Sequence, residues 1–427
     1  MTKTGWSLLL LLVLGPVAAA EEAQPEAAPG WTVAQRDAAL KKAFAYLDDN
    51  LWKLNVGGSP RKPYAAAVAG WAYLLAGERG GKRLPSRAKQ LERIRDHLEQ
   101  YLEQTERVYD RRERDERRPP NRPPGMPDMS RMQATQFAWP LSMAAHFLAE
   151  SMARGKNKRG SKALLKRIVA ILERSQQPNG GWGHDDAQVP GLGIPDDVMP
   201  IPGGYPKTLL AATSCAASAL GTAHRALKAR QAESLAKAIG YYREAQSRDG
   251  SFPYDPSQKV PARMPRMPNG ADPFVLDRAR TAGALFALYC LGVEGDDETA
   301  TRAAELMEHS LADVSEGHGS ATMALQFGAL LARAQGDERW DAFRRIFFPR
   351  ILAKQGDDGA FDCVCLHEAF GVTCDSEPPG GLGGMPGYQQ GTKVYVTAIH
   401  CLVLLLDRAP SKCAPPVPKA KGPVTPR

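Results

Sequence analysis

Gln176-Gln-Pro-Asn-Gly180-Gly-Trp182, Gln246-Ser-Arg-Asp-Gly250-Ser-Phe252 and Gln355-Gly-Asp-Asp-Gly359-Ala-Phe361 all read Gln-x-x-x-Gly-x-aromatic. Each closes a charged, amphipathic segment and precedes an apolar one. The spacing has a mechanical meaning. The glutamine sits in the last helical turn, where it reaches free carbonyls or the next repeat. Asn-Gly or Asp-Gly supplies the positive-φ turn that ends the helix. The aromatic then plugs the gap under the following helix. A fifth junction, 315–322 (SEGHGSAT), keeps the glycines but lacks Gln and the aromatic. The first, 55–60 (NVGGSP), is similarly degraded.

Outward from these turns the chain alternates two kinds of helical segment. The charged kind covers roughly 33–53, 86–107, 161–176, 231–247, 297–312 and 338–354. In 161–176, Leu164, Leu165, Ile168, Val169 and Leu172 recur at helical spacing, with Lys162, Lys166, Arg167 and Arg174 between them. That pattern has one buried and one wet face. The apolar kind covers roughly 64–76, 133–152, 207–227, 278–292, 319–334 and 393–407. It is rich in Ala, Ser, Thr and Gly, which let helix axes approach closely, and a helix apolar on every side belongs in an interior. No pair buries itself alone, so the pairs must stack. The expected fold is all-α: an α/α toroid of six helical hairpins, apolar helices inside and charged helices outside. An open solenoid and an irregular bundle are the alternatives. Ala69, Trp71, Ala145, Ala212, Ala217, Ala284, Met323 and Val396 are expected in the core, and Lys162, Lys166 and Arg174 on the surface.

The 427 residues are 43% hydrophobic and 24% charged, which indicates a folded core. A net charge of +8 is a mild excess over this length and does not call for a nucleic-acid partner. Residues 1–20 have the form of an export signal: Lys3, an apolar stretch from Leu8 to Leu14, and Ala18-Ala-Ala20 before Glu21. That stretch is too short to span a bilayer of ~30 Å. Residues 21–30 read as a flexible leader, 31–408 as the toroid and 409–427 as a disordered, Pro-rich tail. The expected location is secreted or periplasmic, with no transmembrane segment after signal cleavage.

The Gln–aromatic repeats resemble those of the prenyltransferase and squalene-cyclase superfamily, over about residues 31–408. QQPNGGWG with YPKTLLAATSCAASAL, SRDGSF with ARTAGALFAL, and Gly380-Gly-Leu-Gly-Gly-Met-Pro-Gly leading into Val394-Tyr-Val-Thr-Ala-Ile-His-Cys401 look like repeats of protein prenyltransferase β subunits. The resemblance implies prenyltransferase/squalene-oxidase-type repeats on a toroid whose central, aromatic-lined cavity opens at one end. The family's catalytic groups do not carry over. Protein prenyltransferases hold zinc with Asp-x-Cys and a His after the final inner-helix Tyr; here Tyr395 is followed by Val396, and the nearest segment reads Asp362-Cys363-Val364-Cys365. Arg280 matches a diphosphate-contacting arginine. The cyclases' Asp-x-Asp-Asp acid and the thioester motif Gly-Cys-Gly-Glu-Gln are absent from the sequence.

Cys215 and Cys290 read as small core hydrophobes. Cys363, Cys365, Cys374, Cys401 and Cys413 cluster near the end and are disulfide candidates in an oxidising compartment. The other chemistry open to Cys363, Cys365, His367 and Cys374 is a zinc clip; otherwise no cofactor is expected. His146, His224 and His400 read as satisfied core or interface histidines. Three long loops, 108–131, 183–206 and 253–275, all run from a charged to an apolar helix and should meet at one end of the barrel. Ligand-binding candidates there are His184, Asp185, Asp186, Asp196 and Asp197; Arg280 and Tyr395 are further candidates. The expectation is a non-catalytic toroid that binds a small molecule, a glycan or a protein. The alternatives are a cavity-based enzyme acting on a terpenoid/isoprenoid or a polysaccharide, and a structural component.

Overall fold

The computed structural model describes residues 30–53, 61–77, 85–116, 138–183, 208–229, 232–254, 275–315, 321–364 and 386–415. Within them are twelve α-helices. The charged segments form α1 (Val33–Asn50), α3 (Pro85–Glu116), α5 (Lys158–Arg174), α7 (Glu233–Ala245), α9 (Glu298–His309) and α11 (Asp337–Ala353). The apolar segments form α2 (Arg61–Ala76), α4 (Ala138–Ala153), α6 (Leu210–Leu227), α8 (Val275–Cys290), α10 (Ala321–Ala334) and α12 (Pro386–Leu405). Local chemistry sets several starts. Thr32 and Gln35 cap α1 reciprocally, and the Asp297 carboxylate accepts the first free N–H groups of α9.

The even helices form a closed ring. α2 packs on α4, α4 on α6, α6 on α8, α8 on α10, α10 on α12, and α12 returns to α2. The odd helices lie outside. This is an α/α toroid. Small residues make the inner ring possible: a Cβ added at Gly221 of α6 would strike the Cys290 carbonyl of α8. The core residues expected from the pattern are buried, each at most 4% exposed, while Lys162, Lys166 and Arg174 of α5 are exposed.

The three repeat turns are superposable in their bonding. Gln176, Gln246 and Gln355 each donate one side-chain N–H to the glycine carbonyl four residues on, at 2.9, 3.1 and 3.1 Å. Each donates another to the next outer helix: Ser234 O at 2.8 Å, Thr299 O at 2.9 Å and Ala39 O at 2.9 Å. The last of these ties repeat six to α1 and so closes the ring. Asn179, Asp249 and Asp358 accept the N–H two residues on. Gly180, Gly250 and Gly359 have φ of +88°, +88° and +86°, and a Cβ there would run into the Lys237, Arg302 and Lys42 carbonyls. Glycine is needed both for the conformation and for the close approach. Trp182, Phe252 and Phe361 are buried, and their N–H groups donate to the hydroxyls of Thr213, Thr281 and Thr397 on the facing inner helices. The degraded fifth junction is preceded by a 3-10 turn, Leu311–Ser315, with Val314 against Gly328 of α10.

Three boundaries differ from expectation. α3 continues to Glu116, so the stretch expected as a loop from residue 108 begins as helix. α12 starts at Pro386, where a proline at the first helical position costs no hydrogen bond. Residues 409–415, expected in the tail, are fixed across the barrel end. The fully buried Glu150 carboxylate at the end of α4 accepts from the Ser411 hydroxyl (2.6 Å) and from the Lys412 (3.1 Å) and Cys413 (3.2 Å) N–H groups. Arg154 donates to Glu150 and to the Pro410 carbonyl, and Arg225 of α6 donates to the Cys413 carbonyl. A buried carboxylate with these partners holds the strap more firmly than its proline content suggests. On the α12 side, Asp407 anchors it by accepting from Arg36, Arg344 and Trp340. Residues 1–20, most of 21–30, the first junction and 416–427 lie outside the described residues.

Candidate functional site

Each outer helix delivers the chain, through a repeat turn or a loop, to the start of the next inner helix. The N-terminal halves of the inner helices therefore surround one mouth of the ring, and their side chains fill its centre. Tyr64 of α2 donates to the Gln326 side-chain oxygen of α10 at 3.1 Å, and the Gln326 NH2 lies 3.3 Å from the Met143 sulfur of α4. α4 and α10 stand opposite each other in the ring, so this contact spans the lumen. Cys215 of α6 reaches the Met323 sulfur of α10 at 3.5 Å. Below lies an aromatic layer. Trp71 stacks on His146 (5.3 Å between centroids), His146 meets Phe286 at 6.4 Å, and Phe286 meets Phe327 at 6.0 Å.

The polar groups of this interior are held neutral. Burial, aided by the positive field of Arg225, pushes the His146 imidazole down to about 3, and its Nε2 lies 3.1 Å from the Ser218 hydroxyl. Burial alone pushes His400 down to about 3. Burial raises the Cys215 and Cys401 thiols far above their usual range, and Cys290 also rises. Neutral thiols and imidazoles supply neither a thiolate nor an imidazolium at neutral pH. The six inner helices carry two carboxylates, Glu150 and Asp277. Glu150 is fully engaged with Arg154 and the C-terminal strap.

Of the candidates singled out from sequence, Arg280 and Tyr395 are described. Arg280 lies with its guanidinium 5.4 Å from the Tyr254 ring centre, and Tyr395 packs 5.2 Å from Tyr64. The structure thus gives each a separate aromatic partner. His184, Asp185, Asp186, Asp196, Asp197, Cys365, His367 and Cys374 lie outside the described residues. The disulfide expectation is corrected for Cys401 and Cys413, which are free thiols. Cys401 is fully buried near the C-terminal end of α12, and Cys413 faces the Glu150 clasp. Cys363 is buried 3.5 Å from the Thr322 hydroxyl. His224 pairs through Nε2 with Glu173 at 3.1 Å while its Nδ1 has no hydrogen-bond partner among the described residues, and neither ring nitrogen of His400 has one. It packs edge-on against Phe361.

The zinc site of protein prenyltransferases does not fit this chain. Val396 stands buried where a ligand would be, and His400 is one turn further along α12. No group of three or more His, Cys, Asp or Glu is arranged for a metal among the described residues. Among the same residues no helix is long and apolar enough to cross a membrane. A surface recess of about 330 Å³, lined by Trp31, Glu338, Asp341, Arg344 and Arg345, lies on the outer wall. Its Arg344 is already paired with Asp341 and Asp407, which marks a structural seam.

Sequence reasoning missed three threonines and one glutamate. Thr213, Thr281 and Thr397 receive the aromatic N–H groups, yet their spacing from the repeats varies, so only their presence in Ala-rich helices hinted at a role. Glu150, an acid in an otherwise apolar helix, was the available signal for the strap.

No protein-family model and no curated protein matches the chain. Among solved structures, two variants of the type II terpene cyclase MstE from Scytonema, each in complex with its substrate geranylgeranyl dihydroxybenzoate, are similar in fold. One is 13% identical, covering 87% of this chain and 98% of its own, with a TM-score of 0.43. The other is 15% identical, covering 87% and 99%, with a TM-score of 0.42.

Proposed function

We propose that this protein is an exported, non-catalytic toroid that binds a small molecule, a glycan or a protein at the mouth formed by the starts of the inner helices. The observation that carries this proposal is the plugged lumen: Tyr64, Gln326 and Met143 bridge opposite walls where a reaction chamber would lie. The inner wall also offers little for acid–base work. Glycoside hydrolysis needs two carboxylates about 5–10 Å apart, and Glu150 is committed to the strap. Export rests on the signal-like residues 1–20. The ligand would meet the candidates His184, Asp185, Asp186, Asp196 and Asp197, together with Arg280 and Tyr395.

One observation favours the alternative of a cavity-based enzyme acting on a terpenoid. The interior is rich in aromatic rings, with Tyr64 against Tyr395, Trp71 on His146 and Phe286 against Phe327, and aromatic faces stabilise cations. Native mass spectrometry of the purified full chain, followed by incubation with polyprenyl and polysaccharide substrates, separates the two. A stoichiometric copurifying molecule that survives unchanged is expected. Turnover of either substrate class would overturn the binding proposal.

A further inference from the structure

Residues 154–172 contain seven cations (Arg154, Lys156, Lys158, Arg159, Lys162, Lys166 and Arg167) and no acid. Two are committed elsewhere: Arg154 to Glu150, and Arg167 to Glu106 and Glu99. The other five are exposed, and none makes an ion pair among the described residues. Lys158, Lys162 and Lys166 fall at i, i+4 and i+8, so they form one stripe along the outer face of α5, about 12 Å long. The tertiary structure widens this patch. Glu150 holds the strap beside Arg154 and so brings the exposed Lys412 to the α4–α5 corner. Exposed Lys228 ends α6 at the same end of the barrel.

The fold does not require this charge, and local physics opposes it. A helix N-terminus carries partial positive charge, so cations in the first turn are unfavourable there. The outer helices α9 and α11 obey the rule, opening with Glu298 after the Asp297 cap and with Asp337 and Glu338. α5 opens with Lys158, Arg159 and Gly160. A local rule broken without internal compensation points to an external partner.

We propose that this basic face docks reversibly on an anionic bilayer surface. The cations spread over the α4–α5 turn, the convex outside of α5, the end of α6 and the strap, which is a broad face without a groove. A single-stranded polyanion is typically held in a groove with stacking aromatics. Val33, on α1, is the one large hydrophobic residue strongly exposed among the described residues. Binding is therefore electrostatic, peripheral and sensitive to salt.

Co-sedimentation of the full chain with vesicles tests this. Equimolar phosphatidylglycerol and phosphatidylcholine vesicles should bind it at low salt, and pure phosphatidylcholine vesicles should not. Lys158→Gln, Lys162→Gln and Lys166→Gln combined should weaken partitioning about a hundredfold, at roughly fivefold per cation. Lys41→Gln with Lys89→Gln, exposed cations outside the face, should change it little. Circular dichroism identical to wild type shows that the triple variant is folded. Partitioning unchanged in the triple variant, equal binding to neutral vesicles, or retention on heparin without vesicle binding would each overturn the proposal.

Discussion

Replacing Gln355 with alanine tests whether the ring is closed. In an open solenoid the last repeat has no following outer helix, so this glutamine would have only its own turn to bond. In the toroid its NH2 group donates to Gly359 O at 3.1 Å and, across the seam, to Ala39 O at 2.9 Å. Gln176 and Gln246 make the same pair of bonds inside the chain. Two neutral hydrogen bonds in partly buried surroundings are worth about 1–3 kcal/mol together. A chain of this length has an unfolding entropy on the order of 0.9 kcal/mol/K, so the melting temperature should fall by about 1–3 °C. Denaturant titration of Gln176→Ala, Gln246→Ala and Gln355→Ala, read by circular dichroism, should give three similar losses. A Gln355→Ala variant as stable as wild type, beside two destabilised siblings, would refute closure through this turn.

Other outcomes follow from the same geometry. Trp182→Ala, Phe252→Ala and Phe361→Ala should each cost about 3–5 kcal/mol, because all three rings are buried; an unchanged melt for any one would show that its plug is dispensable. Glu150→Gln weakens the charge-assisted bonds from the strap, so hydrogen exchange at the Lys412 and Cys413 amides should accelerate while the amides of α6 stay protected. His146 and His400 take up protons near 6.5 when unfolded but only near 3 when folded. Stability is therefore complete above about pH 6.5 and is lost as pH falls toward 3, by about 1.4 kcal/mol per pH unit for each histidine. His400→Leu, which removes an imidazole without hydrogen-bond partners, should shrink that slope; a stability profile of unchanged steepness would contradict the burial assigned to it.

The amino-acid sequence determined the alternation of helices, because hydrophobic periodicity is local and the Ala-rich segments have no wet face to present. It also exposed the repeat turns, since Gly180, Gly250 and Gly359 occupy positions where a side chain is excluded. The aromatic plugs at Trp182, Phe252 and Phe361 were legible for the same reason. The site was less legible. The loop residues His184, Asp185, Asp186, Asp196 and Asp197 stand out by composition, but no local rule says what they face.

Other features depended on which segments meet across long chain separations. Only the tertiary structure closes the ring, because the Gln355–Ala39 bond joins residues 316 apart and leaves no mark on the local pattern. Only packing fills the lumen: Met143 and Gln326 are unremarkable core residues until opposite walls bring them together. The strap is the sharpest case. Prolines near the C-terminus favour an extended chain, yet Glu150, 261 residues away from Ser411, supplies a buried carboxylate that residues 411–413 satisfy. A buried charge must find partners wherever the fold brings donors within reach, and that condition is set by the assembled barrel rather than by neighbours in the sequence.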